Sequence, residues 1–210
     1  SGEVGIECEE GRAVIRESNL ESGAMRLFGA GLPNPNGLAW NPATGELWTT
    51  VNERDMLGSD LVPDYLTKVP FAADFGWPWH YWRHTDFRVQ PTKQEKREYE
   101  RRPDYALGPH GAPLGLAFAE NAKLGGAFAS GAFIARHGSW NRSPVHGYDV
   151  VFVAFDKGMP IGQPINVLTG FLDKEGKAQG RPAMLAVDKA GALLVSDDVG
   201  NIIWRVKAKG

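Results

Sequence analysis

The chain has 210 residues, 42% hydrophobic and 23% charged, with a formal net charge of -2. It is long enough for a substantial core, and its near-neutral balance excludes a general electrostatic attraction to nucleic acid or anionic membranes. A single cysteine, Cys8, excludes an intramolecular disulfide and a CxxC zinc site, and no apolar run approaches the roughly 20 residues that span a bilayer.

The opening SGEVGIECEEGR is acidic and carries no apolar h-region, so no signal peptide is expected within it. GRAVIRE from Gly11 leaves a turn and then runs apolar with β-branched residues, as a strand does. AMRLFGA from Ala24 reads the same way. GLAWNPATGELWTT from Gly37 is a hairpin: apolar strand, a tight turn over 41–45 closing on Gly45, apolar strand. A long insertion is expected over about 52–112. Its segment TKQEKREYERR (92–102) is almost wholly polar and reads as a solvated helix or an extended surface stretch.

The hairpin then returns. GLAF at 115 and AFIAR at 132 form a looser copy, followed by GYDVVFV from Gly147 and INVLTGF from Ile165. MLAV at 184 and LLVSD at 193 form a third copy around the turn Asp188–Gly191, followed by GNIIWRV from Gly200. Four short strands per unit, repeated, are the signature of a β-propeller blade. The fold class is therefore all-β, and residues 1–210 read as a single partial propeller domain of roughly three to three and a half blades. Closed propellers have 4–8 blades. An open arc leaves blade faces and strand edges bare, which is an aggregation liability, so the chain reads as part of a ring.

NPNGLAW, VNERD, FGWPWHYW, HGAPLGLAF, HGSWNRSPVHGYDVVFV and GRPAMLAVDKAGALLVSDDVGNIIWRV occur in fixed order. With these motifs the chain resembles the C-terminal half of the sorbosone dehydrogenase-like quinoproteins. These are related to the soluble glucose and aldose dehydrogenases that use pyrroloquinoline quinone (PQQ). The resemblance implies a six-bladed propeller, PQQ held over the central axis with Ca²⁺, oxidation of a sugar or sugar-derived aldehyde, and a periplasmic or secreted location. It also implies that the catalytic base, a histidine, comes from the first half of the propeller, so a chain like this one is expected to be inactive alone.

The resemblance nominates site residues, and their chemistry is compatible with the roles. Arg181, in GRP, matches an arginine that grips a PQQ carboxylate, which suits a guanidinium fork; the second arginine of that pattern is Ala183 here. Arg142, in HGSWNRSP, stands where glucose dehydrogenases carry a lysine at the quinone, where a cation stabilises the reduced anion. Trp140 on the same loop offers a flat face for stacking, with core packing as the alternative. Asn34 falls where an Arg-Asn-Pro motif presents its Asn to PQQ, with Pro33 in place of the Arg; an Asn before Pro35 is also a good turn start. His110 aligns with a segment lining the cofactor cavity. Asn52, Glu53 and Asp55 replace a Ca²⁺-holding loop and supply the oxygen donors that calcium prefers, or form a solvated acidic turn. Asp60 and Asp64 follow in a loop that could order around an ion.

No dinucleotide-binding fingerprint, P-loop, HExxH or GxSxG motif occurs. Two readings of another class stay open beside the dehydrogenase: a non-catalytic propeller fragment that binds carbohydrate or protein, and a homo-oligomer that completes the ring with a second copy.

Overall fold

The computed structural model describes residues 11–89 and 98–208. Sixteen β-strands and one short 3-10 turn make up the regular structure of these residues. β1 (Val14–Ser18) and β2 (Met25–Ala30) form an antiparallel pair, and the two-residue β6 (Ala73–Asp74) adds parallel to β2.

Three blades follow. The first is β3 (Pro35–Trp40), β4 (Leu47–Val51), β5 (Pro63–Lys68) and β9 (Tyr105–Pro109) in that spatial order. The second is β10 (Pro113–Phe118), β11 (Gly131–Arg136), β12 (Asp149–Asp156) and β13 (Met159–Leu168). The third is β14 (Pro182–Val187), β15 (Leu193–Asp197) and β16 (Ile202–Val206). The short pair β7 (His80–Tyr81) and β8 (His84–Thr85) lies between β5 and β9 in sequence.

The three hairpins of the sequence are the inner halves of these blades, and their registers superpose. Leu38 pairs with Thr49, Leu116 with Ile134 and Leu185 with Val195. Each inner strand opens on a proline (Pro35, Pro113, Pro182), and the register then shifts before the Leu. Proline fits there because the first residue of a strand can dispense with its N–H.

β3 packs beside β10, and β10 beside β14, so the inner strands stand side by side around one axis. The approach is close enough to require glycine twice. A Cβ on Gly37 would come within 2.4 Å of Leu114 O, and one on Gly115 within 2.6 Å of Ala183 O.

Apolar clusters fill the gaps between sheets. Trp48 and Leu66 of the first blade join Leu116, Ile134 and Val151 of the second. Phe133, Val150 and Phe152 of the second join Leu193 and Val195 of the third. Ile15 of β1 joins Leu47, Val51 and Tyr65 of the first blade. Trp48, Phe133 and Phe152 are fully buried, and truncating such a residue to alanine costs about 3–5 kcal/mol.

The expected insertion over 52–112 resolves into blade and true insertion. β5 and β9 are the first blade's third and fourth strands, and only 69–104 lies between them. The third strand, PDYLTK, does not advertise itself because its polar residues are bonded to distant partners, with Asp64 and Thr67 buried and Lys68 half-buried. Thr67 Oγ1 donates to Asp104 (2.8 Å) and Lys68 Nζ to Glu46 (2.7 Å). Residues 92–97 of the polar stretch lie outside the described residues. Its remainder, 98–102, is a turn and not a solvated helix, and buries Glu100 against His80, with Nδ1 to Oε1 at 2.6 Å.

Candidate functional site

The cavity sits where the first and second blades present the same ends of their strands. Asn34 and Ala112 directly precede or nearly precede the inner strands β3 and β10; Asn52 to Asp55 follow β4, Gly138 to Asn141 follow β11, and Asp64 stands near the start of β5. Blade geometry therefore gathers residues distant in sequence. Asn34, Asn52, Glu53, Asp55, Asp64, His110, Ala112, Gly138, Trp140 and Asn141 line it.

The PHGAP turn before β10 is strained toward this cavity. His110 and Ala112 have φ of 57° and 50°, a left-handed conformation that costs a non-glycine residue on the order of 1 kcal/mol or more. The turn aims Ala112 N–H at Asp64 Oδ2 (3.0 Å) while Ala112 O accepts His137 N–H (2.9 Å). His110 is buried and holds the loop after β4. Its Nε2 lies 3.0 Å from Gly58 O and 2.9 Å from Leu61 O, and its Nδ1 lies 3.1 Å from Asp55 Oδ1. Asn141 Nδ2 donates to the same Asp55 oxygen, and Arg88 NH1 donates to Asp55 O (2.8 Å).

Charge is handled unevenly around the cavity. Glu53 spends Oε1 on the backbone N–H and Nε of Arg54 (2.9 and 3.0 Å). Arg54 in turn donates to Asp86 (2.9 Å) and to the carbonyls of Pro78 and His80. Burial raises the Glu53 carboxyl above the usual range although Arg54 opposes this. Burial also acts against the charge of Asp86, but Arg88 and Arg54 outweigh it and hold that carboxyl well below its ordinary value.

Among the described residues Asp64 has no cation. Its oxygens accept only the N–H groups of Glu53 (2.8 Å) and Ala112. Burial, reinforced by the charges of Glu53 and Asp55, pushes it up to about 7. Two further acceptors, Asn52 Oδ1 and Asn141 Oδ1, are buried without a partner, and such groups cost about 1–3 kcal/mol unless something fills them.

The nominated residues divide into two sets. Asn34, Asn52, Glu53, Asp55, His110 and Trp140 come together in the cavity wall, and Trp140 is 72% exposed. Arg142 and Arg181 do not line it. Arg142 NH1 donates to Pro144 O and NH2 to Asp60 Oδ1, across to the loop after β4. Arg181 donates from Nε to His137 O (2.8 Å) and from NH2 to Gly138 O (2.6 Å), and its guanidinium lies 5.2 Å from the Tyr148 ring centroid. Both arginines thus brace the HGSWNR loop. His110 likewise acts on a loop and on Asp55.

Sequence reasoning missed Asn141, although it lies within HGSWNR; its signal is a contact with Asp55, 86 residues away.

The donor set fits a hard cation in part. Asn52 Oδ1, Asn141 Oδ1 and the Asp55 carboxylate are oxygen donors of the kind calcium takes, while Glu53 is committed to Arg54. Among the described residues no three His, Cys, Asp or Glu side chains converge as a metal cluster. A flat quinone finds the exposed Trp140 ring, but its carboxylates find no Lys or Arg among the lining residues. No helix among the described residues is long and apolar enough to cross a membrane.

Comparison with known proteins gives the geometry a lineage. An uncharacterised protein of Borreliella burgdorferi is 30% identical over 196 residues, covering 92% of this chain and 52% of its own length. The chain thus spans about half the length of the curated relative it matches. The calcium structure of the Trichoderma reesei family AA12 carbohydrate-active enzyme aligns with TM-score 0.70 and 21% identity, over 84% of this chain and 52% of its own. The holo PQQ domain of Coprinopsis cinerea pyranose dehydrogenase aligns with TM-score 0.70 and 23% identity, over 94% and 61%. The apo soluble aldose sugar dehydrogenase of Escherichia coli aligns with TM-score 0.60 and 20% identity, over 85% and 46%. These likenesses establish a shared β-propeller fold. The TrAA12-like family itself matches residues 81–209, well over half of the sequence, and the chain belongs to that family.

Proposed function

We propose that the chain is the C-terminal part of a PQQ-dependent dehydrogenase of sugars or sugar-derived aldehydes, contributing one wall of the cofactor cavity and inactive on its own. The observation that carries this reading is the cavity between the first two blades. There Asn52 Oδ1 and Asn141 Oδ1 stand buried and unfilled beside the exposed ring of Trp140. In this reading Asn52, Asp55 and Asn141 hold Ca²⁺, and Trp140 and Asn34 face the quinone. With these residues holding the groups, PQQ would supply a hydride-accepting centre and Ca²⁺ a Lewis acid.

The chain's own residues supply placement. His110 pins the loop after β4 and orients Asp55. Arg181 and Arg142 fix the loop that carries Trp140 and Asn141. The Trp140 ring lines one side of the cavity. Asp64, pushed up to about 7, keeps the charge of the wall low at neutral pH. The proton acceptor for the substrate is assigned to the other half of the propeller, as the sequence resemblance implies. The same resemblance implies a periplasmic or secreted location for the working protein.

The test is thermal unfolding with PQQ and Ca²⁺. A ligand at 100 times its Kd adds about 2.7 kcal/mol, which for a chain of this size raises Tm by roughly 5–10 °C. The expected result is a rise that needs both ligands, with no dye reduction when an aldose is added. Absence of any rise removes the cofactor reading for this chain.

A second reading, a non-catalytic module for carbohydrate or protein, is favoured by one set of observations. Pro33 and Ala183 stand where the resemblance implies arginines, and Arg142 and Arg181 are turned to backbone carbonyls. It is separated from the first by sugar-induced quenching of Trp fluorescence without PQQ.

A further inference from the structure

His146 ends the stretch HGSWNRSPVH and closes the loop that forms part of the cavity wall. His146 N–H donates to Ser139 Oγ (2.8 Å), and His146 O accepts Ser139 N–H (2.9 Å). Trp140 and Asn141, which line the cavity, lie inside the loop so closed. Tyr148 OH adds a bond to Ser139 O (2.7 Å). The imidazole itself lies against the chain before β10. A Cβ on Gly108 would come within 2.8 Å of its Nε2, and one on Gly111 within 3.2 Å of its Cδ2. Two glycines therefore make the seat for this ring.

Hydrogen bonding selects the form of the ring. Arg136 NH1 lies 3.0 Å from His146 Nε2. A guanidinium has only donors, so Nε2 offers its lone pair and the ring proton sits on Nδ1. The same NH1 lies 3.4 Å from Leu107 O, which is itself 3.3 Å from Nε2. Arg136 is not free to turn away. Its Nε and NH2 grip the two oxygens of buried Asp149 (2.7 and 2.6 Å).

The charges facing the ring come from three elements. β11 supplies Arg136, the loop itself supplies Arg142, and β12 supplies Asp149, already spent on Arg136. β9 and the turn to β10 present Leu107 O and glycine backbone. Burial holds the imidazole below its ordinary value, Arg136 and Arg142 add to this, and Leu107 O and Asp149 oppose them.

We propose that His146 is the positioning residue of the loop over 139–146 and makes the cavity wall acid-sensitive. The neutral ring accepts from Arg136 and holds Trp140 and Asn141 in place. A proton on Nε2 turns that acceptor into a donor facing a fixed guanidinium, and the loop comes away from the turn between β9 and β10. The open loop binds the proton more tightly than the closed one. Closure is thus favoured most above about 6.5, the ordinary histidine value, and weakens as pH falls below it. The anchor stands without the proposed chemistry. Its consequence, weaker binding of cofactor and metal in acid, rests on that reading.

Hydrogen exchange of the full chain tests the anchor without any ligand. Corrected for intrinsic exchange, protection of the Ser139 and His146 amides should fall about fivefold or more between pH 7.5 and pH 5. His146→Gln keeps an acceptor toward Arg136 and does not titrate, so in that variant the fall should disappear while protection at pH 7.5 stays within about twofold of the native chain. Nitrogen chemical shifts of the native chain at pH 7.5 give a second reading that needs no variant: Nδ1 of His146 should carry the proton and Nε2 should be bare. A proton on Nε2 overturns the proposal, as does a fall in protection that persists in His146→Gln. A fall that disappears instead in His137→Gln, whose ring meets Asp198, overturns it in favour of that histidine. The consequence is read separately. The rise in Tm with PQQ and Ca²⁺ should be smaller at pH 5 than at pH 7.5, and the difference should shrink in His146→Gln; an equal difference in both proteins overturns the consequence. No rise at either pH overturns the cofactor reading and leaves the anchor to be decided by hydrogen exchange.

Discussion

The two sides of the loop after β4 treat buried charge in opposite ways. On one side Arg54 meets Glu53 and Asp86 and fills its remaining donors with the carbonyls of Pro78 and His80, so no charge is left without an opposite. On the other, within a few residues, Asp64 has among the described residues only backbone N–H groups, and the side-chain oxygens of Asn52 and Asn141 have no partner there. The first side fastens the insertion onto the first blade and is complete as it stands. The second leaves its unmet hydrogen-bonding capacity on buried oxygens of residues that line the cavity. Sites differ from supports in this region by what they leave unfilled.

The largest expected effect breaks the complete side. Arg54→Met leaves Glu53 buried without its cation and Asp86 with Arg88 alone, and removing one partner of a buried pair costs about 3–5 kcal/mol. Urea unfolding of the variant should lose most of the stability of the native chain. A loss under about 1 kcal/mol would show that this network does not hold the insertion down.

The next effect belongs to the incomplete side and depends on pH. Asp64 sits at about 7 in the folded chain, against an ordinary aspartate value of 3.8. Its folded form therefore favours the proton, and that contribution is full below about 4 and lost as pH rises through 7. The window is worth on the order of 4 kcal/mol, and Glu53, also raised by burial, acts in the same direction. Stability measured from pH 4 to 7.5 should fall in the native chain and fall markedly less in Asp64→Asn. Equal slopes for the two proteins would remove Asp64 as the source.

The same contrast explains what could be read from the sequence. The inner hairpins were legible because their residues alternate or run apolar and repeat in one register: Leu38, Leu116 and Leu185 each pair at the same step of their blades. β5 was not, since Asp64, Thr67 and Lys68 interrupt its apolar character and are satisfied only by distant partners such as Asp104 and Glu46. In the site, resemblance located the segments of Asn34, His110 and Trp140 but not what each side chain does there. His110 spends both ring nitrogens on the loop after β4, and Arg181 spends its fork on His137 and Gly138. Those roles depend on carbonyls brought near by the blade geometry, and a carbonyl leaves no mark in a sequence.

Arg181 lies between the two extremes. It is a cation paired with carbonyl oxygens and a Tyr148 face, so removing it strands no buried opposite charge. Arg181→Ala should cost about 1–3 kcal/mol, the range for losing hydrogen bonds from a charged donor. Loosening the HGSWNR loop should also increase the mobility of Trp140, read as a fall in its fluorescence anisotropy. A loss as large as that of Arg54→Met would mean that Arg181 carries part of the core.

The smallest expected effect on the fold is the sharpest statement about the site. Asn52 keeps its backbone N–H bond to Asn34 O (3.0 Å) whatever its side chain is, and its Oδ1 has nothing to lose. Asn52→Ala removes a desolvated acceptor that no donor meets, so without ligand folding stability should not fall and should rise by up to about 1 kcal/mol. If that oxygen is kept for a ligand, the whole cost appears only on binding: the rise in Tm produced by Ca²⁺ with PQQ should shrink by at least half in the variant. A variant that loses stability without ligand, and keeps the full rise with it, would place Asn52 among the supports and leave Asn141 and Asp55 to define the site.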